Sequence, residues 1–194
     1  MRQEAGREPD ALINNAGYGP TTTYARSDWA EQAAFIQVMM TAPAALTHAC
    51  LSGMMARGYG RIIQVASVAG LGPGMPSMTL YSAVKAFLIR FAQALNLECQ
   101  GSGVHVSALC PGLTYSEFHD ANQTRAQLAK VPKLFWAGAE DVANAAIAAV
   151  ERNQAVFVPG GVNKLLSALM RLTPDPLAEA ALKRTLKPLR PEGG

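Results

Sequence analysis

Four short apolar runs, separated by stretches of helical length, set the strongest limit on what these 194 residues can fold into. The runs are Ala11 to Ile13, Arg61 to Val65, Val104 to Leu109 and Ala155 to Val158. Strands joined by a dozen or more residues of helical pattern pair in parallel, because only a hairpin permits a short return. Ser27 and Asp28 offer caps for a helix running toward Ala56, with Phe35, Ile36, Met39 and Leu46 at helical spacing. Pro43 is expected to bend that helix rather than end it. A second helix spans about Tyr81 to Cys99 and a third Asp141 to Glu151. In the tail, Lys164 to Leu172 and Leu177 to Lys187 read as two amphipathic helices. The pattern predicts an α/β fold around a parallel sheet, with no internal repeat.

A chain of this length can bury a substantial core without a disulfide or metal staple. Its 49% hydrophobic and 16% charged residues exclude a disordered or polyelectrolyte protein. A net charge of +3, all of it carried by the stretch from Arg171 to Arg190, gives no footprint for nucleic acid. Cys50, Cys99 and Cys110 are odd in number and unpatterned, as expected of reduced thiols in a cytoplasm. The polar residues from Met1 to Asp10 do not form a secretion signal, and no uninterrupted apolar run of about 18 residues predicts a spanning helix.

Tyr81 and Lys85 stand four apart, on one face of the second helix. A phenol titrates near 10, and a neighbouring ammonium is expected to lower that value and make tyrosine a usable acid and base. With five tyrosines and six lysines, one such pair arises by chance in about 15% of chains of this composition, so its setting matters. Ser67 follows the second strand, at the carboxyl end where open α/β sheets hold ligands. Asn14-Asn15-Ala16-Gly17 follows the first strand and Pro111-Gly112 the third. Three strand ends thereby converge on one crevice suited to a flat ligand.

In these residues the chain resembles the classical short-chain dehydrogenase/reductase family. Asn14 to Gly17 resembles its N-N-A-G motif, Ser67 its catalytic serine, Tyr81-Ser82-Ala83-Val84-Lys85 its Y-x-x-x-K motif, and Pro111-Gly112 its nicotinamide turn. The resemblance covers Asp10 to about Gly161 and implies the carboxyl-terminal strands and helices of a doubly wound, Rossmann-like parallel sheet. It implies a domain over residues 1–161 and a helical tail over 162–194. It further implies NAD(P) and interconversion of a carbonyl and a secondary alcohol; NADP is slightly favoured over NAD, but the choice stays open because the residue that makes it lies outside the matching motifs. Tyr81 would move the proton, Lys85 would lower its pKa and hold the nicotinamide ribose, and Ser67 would position the substrate oxygen. Asn14, Ala16, Gly17, Pro111, Gly112 and Thr114 would line the cofactor, with Ser116 beside its carboxamide. A homo-oligomer acting on a small-molecule substrate is expected. The apolar stretches from Leu71 to Met78 and from Thr114 to Leu134 point to a lipophilic carbonyl.

Three departures accompany the resemblance. The family's glycine-rich phosphate turn and first three strands have no counterpart, and the run Gly70, Gly72, Gly74 leads into Pro73, Met75 and Pro76 rather than a helix. The expected strand at Ala11 to Ile13 is thus left with a bare edge. Met39 stands where many members carry an asparagine that anchors a proton-relay water, and a thioether is a weak acceptor and no donor. Ser67 and Tyr81 are one residue further apart than usual. Three readings stay open: an active oxidoreductase, a cofactor-free interaction subunit, or part of a longer active enzyme. His48, His105 and His119 lack metal-ligand spacing, Ser77 lacks a hydrolase elbow, and no metal is assigned. Leu165, Leu166, Leu169, Met170 and Leu172 suit a partner subunit better than a membrane surface.

Overall fold

The computed structural model describes residues 8–19, 22–76, 78–116, 118, 131–174, 176–178 and 180. Its centre is a parallel sheet of four strands: β1 (Ala11–Asn14), β2 (Gly60–Val65), β3 (Val104–Leu109) and β6 (Val156–Phe157), in the order β1-β2-β3-β6. Ile62 sits opposite Leu12 on one side and Val106 on the other, so these apolar runs are in register across the sheet. The outer edge of β1 has no strand partner among the described residues, and Ile13 is 54% exposed there.

Strand alternation sends successive β2 side chains to opposite faces. Ile62 joins Met54, Leu88, Ala92, Val104 and Val106 beneath two long helices, whereas Ile63 joins Leu109, Val142, Ala146 and Val150 on the other face. Helices therefore cover both faces, as the sequence pattern predicts. The first face carries α1 (Trp29–Ile36), α2 (Ala42–Arg57) and α3 (Thr79–Glu98); the second carries α4 (Ala139–Glu151). After β6 the chain turns into α5 (Gly161–Leu172). The predicted helix from Leu177 to Lys187 lies mostly outside the described residues, as do Ser77 and His119.

α1 and α2 run as one helix, joined by a π-helical stretch at Gln37–Thr41. Proline cannot donate to the carbonyl four residues back, and its ring collides with that carbonyl. For Pro43 that carbonyl belongs to Met39, and the wider π turn, with the Ala42 N–H reaching Gln37, absorbs the misfit. The expected bend is thus a local rewinding upstream of the proline. By length and composition this joined helix is also long and apolar enough to cross a membrane, with a mean hydropathy of 1.4, a property that core helices of soluble proteins share. Here Phe35, Met39 and Met54 bury its inner side.

A second, two-stranded parallel sheet pairs β4 (Leu113–Tyr115) with β5 (Trp136–Gly138) and carries a stacked Tyr115–Trp136 pair, 4.8 Å between centroids. Three-residue strands leave too little alternation to be read from sequence.

Candidate active site

Ser67 leaves β2 in extended conformation and caps the following single turn, its Oγ accepting the Ala69 N–H at 3.2 Å. The adjoining N–H of Val68 donates to Pro111 O at 3.0 Å, so the turns after β2 and β3 are tied together. Gly70 then lies flat against α3. A Cβ there would fall 2.5–2.6 Å from the Lys85 carbonyl carbon and the Ala86 nitrogen, so the serine turn approaches the helix only because this residue is glycine.

The helix presents Tyr81 and Lys85 on the facing turn, 8% and 5% exposed. The ammonium is 5.6 Å from the tyrosine ring centroid, and Nζ donates to Val65 O at 2.7 Å. Ser67, Tyr81 and Lys85 are therefore brought together by one strand end and one helix face. Their electrostatics correct the expectation of an acidified phenol. Burial pushes the Tyr81 hydroxyl above its ordinary value, and the hydrogen bond with Ser67 only partly opposes this. Burial also lowers Lys85, to about 8, with the neighbouring Cys110 sulfur acting the other way. Desolvation disfavours both charged forms, and here it outweighs the mutual help expected from spacing alone.

Asn14 is buried at the end of β1. Its Nδ2 is within 3.4 Å of Pro43 O, 3.2 Å of Thr47 Oγ1 and 3.0 Å of Gln64 Oε1, and Gln64 Nε2 donates to Thr47 Oγ1 at 2.9 Å. These bonds lock β1 to β2 and α2 behind the crevice. Ala16 and Gly17, by contrast, are exposed at the end of β1. A Cβ on Gly17 would lie 2.7 Å from Met39 Sδ, and Met39 in turn packs with Phe35, Tyr81 and Val84. Met39 is thus a wall between the first turn and the tyrosine.

The third side is formed by Pro111, Gly112 and Thr114, whose Oγ1 donates to Gly112 O at 3.2 Å. The space a Cβ would need at Gly112 is filled by the side-chain amide of Asn163, and that at Gly72 is edged by Met170 Sδ at 3.0 Å. Asn163 of α5, and Phe118 with its ring 6.3 Å from Tyr81, were not singled out by sequence reasoning, and Met170, expected to face a partner subunit, packs beside Gly72 instead. Contacts between residues so far apart in the chain leave no local signal. Beside Tyr81 opens a cavity of about 320 Å³, lined among others by Tyr18, Tyr24, Glu31, Phe35 and Leu80. His48 is exposed, and His105 Nδ1 lies 3.0 Å from Val150 O.

The donor set fits the ribose and nicotinamide end of a dinucleotide. An ammonium and a phenol adjoin at Lys85 and Tyr81, whereas the side-chain positions at Gly17 and Gly112 are taken by Met39 and Asn163.

A profile for the family described as short chain dehydrogenase matches residues 3–127. Among curated relatives, ketoacyl reductase HetN of Nostoc sp. is 35% identical over 163 residues, covering 84% of this chain and 55% of its own. The 3-oxoacyl-[acyl-carrier-protein] reductase FabG of Escherichia coli is 32% identical, covering 82% of this chain and 66% of its own. A solved short-chain dehydrogenase from Sphingobium yanoikuyae, in complex with NADPH, superposes with a TM-score of 0.72 at 26% identity, covering 100% of this chain and 70% of that one. The chain spans between about half and two thirds of the length of the first of these relatives and of FabG. With the sheet order and the serine, tyrosine and lysine in place, these matches show that the chain belongs to the short chain dehydrogenase family.

Proposed function

We propose that the chain carries the proton-transfer half of an NAD(P)-dependent oxidoreductase that interconverts a carbonyl and a secondary alcohol. The observation that carries this reading is the Ser67, Tyr81, Lys85 cluster at the carboxyl end of β2. Tyr81 is the general acid toward the carbonyl oxygen, or base toward the alcohol. Ser67, one of whose two lone pairs is engaged by Ala69, donates its own proton and positions that oxygen. Lys85 holds the nicotinamide ribose, and Ala16, Gly17, Pro111, Gly112 and Thr114 edge the cofactor, while Asn14 supports them from behind. When bound, the nicotinamide supplies or accepts the hydride.

NADPH in the Sphingobium neighbour supports NADP as the working form. The apolar part of the cavity beside Tyr81, with Phe35 and Leu80, supports a lipophilic carbonyl, and the relatives called ketoacyl reductases support a ketone. We take residues 1–161 as the catalytic unit and 162–194 as its helical tail, in a cytoplasmic homo-oligomer; the free thiols Cys50, Cys99 and Cys110 favour that compartment. The test is ketone-dependent oxidation of NADPH and NADH. Tyr81→Phe should cut kcat by about 10²- to 10⁴-fold, and an unchanged rate would overturn the mechanism.

A second reading, an interaction subunit without cofactor, is favoured by Met39, which fills the space between Gly17 and Tyr81. Saturable NADH or NADPH binding in the micromolar range would exclude it.

A further inference from the structure

α5 exposes a row of leucines. Leu165, Leu166, Leu169 and Leu172 are 63%, 41%, 53% and 81% exposed, whereas Ser167 is 4% exposed. Lys164, Ser167 and Arg171, at spacings of three and four, share one flank of the helix, the hydroxyl buried and the two cations exposed. Between that flank and β6 runs a groove of about 520 Å³, lined by these three, by Gln154 and by Val156 and Phe157 among others. Lys164 Nζ is 5.5 Å above the Phe157 ring, and the field of the Arg171 guanidinium reaches the Cys110 sulfur just beyond β3. No carboxylate lines the groove among the described residues. The Ser167 hydroxyl is buried without a hydrogen-bond partner.

We propose that this groove binds a phosphomonoester. Two cations, a hydroxyl and a carboxamide supply only donors or donor-capable groups, which suits a dianion with three terminal oxygens. The guanidinium fork takes two oxygens and the ammonium acts as a point charge. Buried hydroxyls ordinarily have partners, and the orphan at Ser167 marks where one is lacking. The groove is larger than a bare oxyanion requires, and the walls formed by Val156 and Phe157 take an apolar or aromatic substituent on the ester. The site stands at the β6 edge of the sheet, at the opposite edge from β1 and its Ala16–Gly17 turn, and so is independent of the oxidoreductase reading.

Calorimetric titration of the intact chain at constant ionic strength tests it, with phenyl phosphate, inorganic phosphate and phenol as probes. Phenyl phosphate should bind saturably, inorganic phosphate more weakly, and phenol not at all. A charge-assisted hydrogen bond of this kind corresponds to about tenfold in affinity, so Lys164→Gln or Arg171→Gln should each lose about tenfold and the double variant about 100-fold. Undiminished binding by the double variant, or phenol binding as tightly as its phosphate, overturns the proposal. Inorganic phosphate binding as tightly as phenyl phosphate overturns the ester and leaves an oxyanion site. A readout on the unaltered chain avoids any folding defect: phenyl phosphate should slow acetylation of Lys164 but not of exposed Lys133, and equal protection of both counts against the site.

Discussion

Replacing Lys85 by methionine removes a buried cation while keeping a straight side chain of similar length, and the structure fixes how the effect depends on pH. The folded chain releases this proton near pH 8, whereas an unfolded lysine holds it to 10.5. Across that window the unfolded state binds more protons, so the contribution of Lys85 to stability rises with pH. The gap between 10.5 and about 8, at about 1.4 kcal/mol for each pH unit, amounts to about 3 kcal/mol, of which about 2 falls between pH 8 and 10. Tyr81 and Cys110 act in the opposite sense at higher pH, because burial raises both, Cys110 to about 12. The quantity to follow is therefore the difference between the parent and Lys85→Met. In it the phenol and thiol contributions largely cancel up to pH 10, because both groups keep their protons in the folded chain with or without Lys85. Losing the bond to Val65 O shifts that difference by a constant and leaves its slope alone. Urea unfolding at pH 7, 8, 9 and 10, followed by tryptophan fluorescence, gives it directly. The parent should gain about 2 kcal/mol on the variant from pH 8 to 10. A difference that stays flat would mean that Lys85 titrates like an exposed lysine and is not desolvated beside Tyr81.

Three further outcomes follow from named contacts. Asn14→Leu strands the buried Gln64 Oε1 and should cost about 3 kcal/mol in denaturant unfolding, with the double variant Asn14→Leu, Gln64→Leu recovering part of it. Gly70→Ala drives a methyl into the backbone of α3 and should cost at least about 2 kcal/mol, because backbone cannot step aside. Gly17→Ala meets the Met39 thioether instead, so its smaller cost, about 1 kcal/mol, should vanish when Met39→Ala is added.

What sequence could and could not reveal divides along physical lines. The central strands and long helices were legible because burial imposes periodicity: Ile62 and Ile63 each had to find a covered face. Ser67, Tyr81 and Lys85 were legible because strand ends and a four-residue spacing are local. The π turn was not, since Pro43 announces a broken bond but not which way the helix rewinds around Met39. The orientation of the Asn14 amide depends on Thr47 and Gln64, 33 and 50 residues away. Burial depth set the sign of the Tyr81 shift, and depth is a property of the assembled fold. The amphipathic pattern of α5 was plain, and its leucines are exposed, but the inward turn of Met170 against Gly72 depends on a contact 98 residues away.

The two buried titrations also bear on which way the site is poised. At neutral pH Tyr81 keeps its proton and Lys85 is still largely charged, because its pKa, though lowered, is about 8. Of the pair, the ammonium deprotonates first as pH rises. Ser67 accepts from Ala69 with one lone pair and shares a hydrogen bond with Tyr81. With both hydroxyls protonated, the resting pair has a proton to give to a carbonyl oxygen as it gains negative charge. Taking a proton from an alcohol needs the phenolate, which burial disfavours. On the proposed reading, the chain's own groups thus favour protonation of a carbonyl over deprotonation of an alcohol, and the bias comes from desolvation of the phenol.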